Sequence, residues 1–74
     1  MDRDSVVLVG RVLHVHRDHL LVRDCRTRQE VRVNTPRARR FRRGESVIVQ
    51  YSGAMTMSIP PQISAQSIMR NIRC

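Results

Sequence analysis

Apolar and polar positions along this chain alternate with period two, and no window of ten or more residues repeats at helical spacing. Residues 5–16 carry Val6, Val7, Leu8, Val9, Val12, Leu13 and Val15, a β-branched run longer than an ordinary strand. Gly10 interrupts the run. A glycine inside a long strand marks a bulge or a bend, as where one strand serves both halves of a closed barrel. Arg17, Asp18 and His19 have turn character, and residues 20–24 predict a second strand. Residues 24–28 are polar enough for a hairpin loop. Residues 29–34 then alternate as a third strand with Val31 and Val33 inward. Thr35-Pro36 ends that strand, because proline donates no hydrogen bond and restricts the residue before it. A charge run over 37–43 follows, with room for one short helical turn within 38–42. Arg43, Gly44 and Glu45 turn the chain into a fourth strand at 46–51. A loop over 52–61 leads to a fifth strand at 62–68, built on Ile63, Ala65 and Ile68.

Five strands with the longest first, and an irregular link between the third and fourth, predict an all-β fold. The best match is a small five-stranded OB-like barrel, with an SH3-like barrel as the alternative. The 74 residues make one domain, 1–74, with a thin core. The predicted core is Val7, Val9, Leu13, Val15, Leu20, Val22, Val31, Val33, Phe41, Val47, Val49, Ile63 and Ile68.

Charge sharpens this picture. All 14 basic residues are arginine, against six acids, which leaves a formal net charge of +8. The missing lysine is uninformative, since exchanging Lys for Arg leaves the charge unchanged. Placement carries more. Arg26, Arg28, Arg32, Arg37, Arg39, Arg40, Arg42 and Arg43 fall within 26–43, and Arg23 and Arg32 lie off the predicted apolar face. In an OB-type barrel that region covers the strand face and loops used for oligonucleotides. Guanidinium is planar, weakly hydrated and forks onto phosphate oxygens. The predicted function is therefore a non-catalytic module in which Arg23, Arg26, Arg28, Arg32, Arg37, Arg39, Arg40, Arg42 and Arg43 bind the backbone of single-stranded nucleic acid, RNA or another polyanion. A merely solvated basic face is the competing reading. With only Phe41 and Tyr51 as aromatics, such binding reads sequence poorly.

Gly10-Arg11-Val12, the stretch from Phe41 to Val47, and the signature G-A-M-T-x-S-x-P-P-Q-I-x-A that runs from Gly53 to Ala65 resemble the YobA-like domains of Gram-positive bacteria. These are short OB-like proteins of largely unassigned function. The resemblance covers about residues 5–68. It implies a five-stranded barrel and no catalytic residues. Many relatives are secreted or lipid-anchored, whereas this chain opens on Met1-Asp2-Arg3-Asp4 with no apolar signal region.

Other groups carry weaker chemistry. His14, His16 and His19 match no common structural zinc spacing and read as rim histidines, so no metal or cofactor is expected. Met55 and Met57 lie in the loop before Pro60-Pro61 and either cap one barrel end or offer an adaptable contact to a protein partner or a second copy. No Ser/His/Asp constellation, glycine-rich phosphate loop or close carboxylate pair beyond Asp2 and Asp4 stands out, so no enzyme is expected. The uncharged run over 46–69 holds too many polar residues and prolines to span a membrane. Cys25 and Cys74 are too few for a disulfide framework, so a cytoplasmic setting with both thiols free and Cys74 exposed is expected.

Overall fold

A computed structural model describes residues 6–71. Ser5, the predicted start of the first strand, and Cys74 lie outside the described residues. Five strands form: β1 (Val6–Val15), β2 (His19–Asp24), β3 (Glu30–Asn34), β4 (Ser46–Tyr51) and β5 (Gln62–Asn71), with a short 3-10 turn at Ala38–Arg40. The predicted elements agree to within a residue or two, except that β5 runs three residues further, to Asn71. Its extra residues Met69, Arg70 and Asn71 carry no apolar alternation. They are extended because Ile48, Val47 and Ser46 of β4 pair with them.

Each strand has two neighbours, so the order β1-β2-β3-β5-β4 closes on itself as a barrel. Four of the five pairings are antiparallel. The fifth, β3 with β5, is parallel and short, matching Arg32 with Gln62, Val33 with Ile63 and Asn34 with Ser64. Past that point the pairing ends, and the 37–43 link buries Ala38 and Phe41 in the core. Among the described residues every strand thus has a partner on both sides over at least part of its length.

The length of β1 follows from serving two partners. Val6 through Arg11 pair with β4, and Gly10 through Val15 pair with β2. Gly10 sits where both pairings overlap, facing inward. A Cβ there would lie 2.4 Å from Val22 Cγ1 and 2.6 Å from the Arg23 carbonyl oxygen. The carbonyl belongs to a paired strand and has nowhere to go. The bulge itself lies further on, at Leu13, the residue skipped between the pairs Val12 with Val22 and His14 with Leu21.

That arrangement corrects the predicted core on β1. Leu8 and Val12 are buried, whereas Val7 is 58% exposed and Val9 and Leu13 are half-buried. The Val6 to Val9 run is apolar on both faces, so alternation alone assigns no side. Gly10 facing β2 sets the even positions inward, and the bulge at Leu13 returns Val15 to the core. Leu20, Val22, Val31, Val33, Phe41, Val47, Val49 and Ile63 are buried as predicted, with Val15 and Ile68 packed partly against them. Ala38 and Tyr51 join them without having been predicted.

Cys25 is disulfide-bonded, which corrects the expectation of a free thiol. Disulfides persist in oxidising compartments, so the cysteines no longer argue for a reducing one. Among the described residues no helix is long and apolar enough to cross a membrane.

Candidate nucleic-acid interface

The outward positions of β1, β2 and β3 follow from their buried ones. Leu20 and Val22 point in, so Leu21 and Arg23 point out; Val31 and Val33 point in, so Glu30, Arg32 and Asn34 point out. Register aligns these in rows across the strands. Arg11 stands opposite Arg23, and Arg23 opposite Glu30. In the next row His14 stands opposite Leu21, and Leu21 opposite Arg32. The turn before β4 reaches the same surface, because Gly44 N–H donates to Val12 O at 2.7 Å and Val12 N–H to Glu45 O at 2.8 Å. Arg43 thereby lines a concavity of about 380 Å³ with Arg11, Leu13, Leu21, Arg23 and the one acid there, Glu30. A second concavity, of about 230 Å³, joins Arg11 and Arg23 to Arg28.

Arg26 and Arg28 are carried by the β2–β3 loop. Asp24 organises it, its Oδ1 accepting from Arg26 N–H at 2.7 Å and Thr27 N–H at 3.2 Å. This is an Asx-type turn, the local bonding that suits aspartate to loops. Arg28 has φ 64°, a left-handed conformation that side-chain-bearing residues seldom adopt. Arg32 is half-buried, its Nε donating to Asn34 Oδ1 at 3.0 Å.

The link carries a different group. Arg37 and Arg40 line a cleft of about 450 Å³ against β5, with Phe41, Ile68 and Arg70. Arg70 stacks over Phe41 at 5.1 Å and donates from Nε to Glu45 Oε2 at 2.7 Å and from an Nη to the Arg40 carbonyl. Glu45 Oε1 also accepts from Arg42 N–H at 2.5 Å. The backbone donor first, and the Arg70 guanidinium second, hold the Glu45 carboxyl below the usual glutamate range. Arg39 and Arg42 are exposed.

The nine predicted arginines therefore divide. Arg23, Arg28, Arg32 and Arg43 gather around the outer face, Arg37 and Arg40 face β5, and Arg26, Arg39 and Arg42 are exposed on loops. Arg11 joins the outer face and was missed. It lies outside the dense stretch of the sequence, and only register brings it to Arg23. Among the described residues, Arg70 is the only arginine in an ion pair with a carboxylate.

The histidines cluster at one end of this face. His16 and His19 rings are stacked, with centroids 4.3 Å apart and planes 13° from parallel. His14 lies 6.4 Å from His16, tilted by 49°. His19 Nδ1 is hydrogen-bonded to Asp18 Oδ1 at 2.7 Å, and that bond is the main cause holding the Asp18 carboxyl below its usual range. Among the described residues no group of three His, Cys, Asp or Glu is placed to hold a metal ion.

The β4–β5 loop is built by most of the G-A-M-T-x-S-x-P-P-Q signature. Thr56 is its tie point: Thr56 N–H donates to Gln62 O at 3.0 Å, and Gln62 N–H to Thr56 Oγ1 at 3.0 Å. Ser58 Oγ lies 2.7 Å from Thr56 Oγ1 and donates to Pro60 O at 2.9 Å. Against this internal bonding, Met57 is 97% and Ile59 99% exposed. A groove of about 660 Å³ separates the loop from Arg28, Gln29 and Glu30.

No protein-family model, curated protein or solved structure matches this chain.

What the outer face offers is defined by its chemistry. Each guanidinium presents five N–H donors and no acceptor, a complement to phosphate or carboxylate oxygens. Leu13 and Leu21 between them supply an apolar floor that a sugar or base edge can cover. Phe41 and Tyr51 are both buried, so neither is open to stack on a base.

Proposed function

We propose that this chain is an OB-like barrel that binds single-stranded nucleic acid or RNA through arginine contacts to the phosphate backbone, without catalysis. The strand order, closed by β1 against β4 and by a parallel β3–β5 pairing, supports the OB-like reading. One observation carries the function: Arg11, Arg23, Arg28 and Arg43 converge on the outer face of β1 and β2, and none is ion-paired to a carboxylate among the described residues. Unpaired guanidinium groups gathered on one face of a molecule of charge +8 attract polyanions over a Debye length of about 10 Å at 0.1 M salt. Arg28 brings its guanidinium to this face from a loop position with φ 64°.

Backbone contact makes the binding salt-dependent. Neutralising about 5–8 phosphates gives log K a slope of roughly −3.5 to −6 against log[salt] for a single strand. Fluorescence anisotropy with labelled oligonucleotides at two salt concentrations tests this. An Arg11→Ala/Arg23→Ala variant is expected to flatten the slope by roughly 1.4. Affinity weaker than about 100 μM at low salt, the weak limit of non-specific binding, overturns the reading.

A second reading, a protein-interaction or self-association module, is favoured by Met57 and Ile59. Two apolar side chains held almost fully exposed by a hydrogen-bonded loop suit a partner surface better than water. Light scattering decides on self-association. A monomer at high concentration whose behaviour is unchanged by Met57→Ser/Ile59→Ser counts against it.

A further inference from the structure

We propose that the stacked rings of His16 and His19 form a nucleobase-stacking platform at the end of the arginine-bearing face, so that a bound strand is held by a base as well as by its phosphates. The inference rests on the reading of that face as a nucleic-acid site and adds to it a contact of different chemistry.

Single-strand binding without stacking forgoes a contact available to every base, since each has a π face. With Phe41 and Tyr51 buried, the imidazoles are the ring systems left at the surface of the described residues. Imidazole, like the larger aromatic rings, stacks on unpaired bases. His16 is exposed, while His19 beneath it is largely covered. The two rings lie 4.3 Å apart at 13°, already parallel. His14, at 6.4 Å and 49°, is too distant and too inclined to complete a stack on His16.

The pair is held in place before any ligand arrives. His16 N–H donates to His19 O at 2.9 Å, closing the β1–β2 turn, and Asp18 holds the His19 ring through Nδ1 at 2.7 Å. Ordering a ring in advance lowers what binding must spend on immobilising it. The location fits as well. His19 pairs with Asn34, on the same outer face of β2 and β3 as the Leu21–Arg32 pair. A strand whose phosphates follow Arg11, Arg23 and Arg32 thus has the histidine stack at one end of its path.

Two oligomers of equal length and phosphate count test the platform: labelled oligothymidylate, and its abasic counterpart. The wild-type chain is expected to bind the base-bearing oligomer at least about 5-fold more tightly. His16→Ala is expected to abolish that preference while leaving the abasic affinity and the salt slope unchanged. His16→Phe, which keeps a stacking ring, is expected to retain it. Equal binding of both oligomers by the wild type overturns the stack and leaves the arginine reading standing. So does a preference that survives in His16→Ala. Failure of both oligomers to bind at low salt overturns the arginine reading and the stack together. Thermal melts of both variants confirm folding, since His16 is exposed and outside the core.

Discussion

Arg28 shows how a single residue can work against local preference. Its φ of 64° places it in the left-handed region, where an L side chain costs roughly 1–2 kcal/mol and glycine almost nothing. The loop closes around it, Arg28 N–H donating to Asp24 O and Asp24 N–H donating to Gln29 O, each at 2.8 Å. Arg28→Gly is therefore expected to raise the melting temperature by about 4–8 °C for each kcal/mol of relieved strain. The same variant is expected to weaken oligonucleotide binding, because it removes one guanidinium from the outer face. A lower melting temperature would show instead that the Arg28 side chain braces the loop. Nothing in the linear sequence marks this residue apart from its neighbours Arg26 and Arg23, because φ is set by the loop that closes around it. Arg11 was hidden for a related reason. It stands alone in the chain, and becomes part of a cluster only through its register with Arg23.

Among the elements, the turn into β4 ties together more of the molecule than its length suggests. Glu45 accepts from the Arg42 backbone and the Arg70 side chain, joining the link to β5, while Arg70 covers the Phe41 plug. These donors favour the carboxylate, so its folded-state pKa lies below the unfolded value. A depressed pKa means that the contribution to stability is present above the ordinary carboxylate range and is lost as pH falls through the depressed value. Glu45→Gln is expected to lower the melting temperature at neutral pH, with the gap to wild type closing as the pH drops below the ordinary carboxylate range. A gap that stays constant into acid would place the effect in packing rather than charge. The elements themselves were largely legible. Alternation at Val31 and Val33, the Thr35-Pro36 break and the Arg43-Gly44-Glu45 turn each act locally, and each appears where predicted. The end of β5 was not legible, because its last three residues are extended by β4 rather than by their own pattern.

At the scale of the whole molecule, a net charge of +8 spread over 74 residues does not say where a polyanion would be held. Chain-wise density suggested one patch over 26–43. Closure of the barrel separates that patch, turning Arg37 and Arg40 toward β5 while Arg23, Arg28 and Arg43 gather with Arg11. The same closure leaves the uncharged β4–β5 loop to present Met57 and Ile59 beside Arg28 across a shared groove. By itself the sequence determined what depends on neighbours along the chain: the period-two alternation, hence five strands and an all-β class, and the proline and glycine breaks between them. Tertiary structure alone decided which side of β1 faces inward and which arginines meet. A strand apolar on both faces has no preferred side until a neighbour crowds one of its residues, as β2 crowds Gly10. Charges far apart in the chain become neighbours only when strand register brings them level.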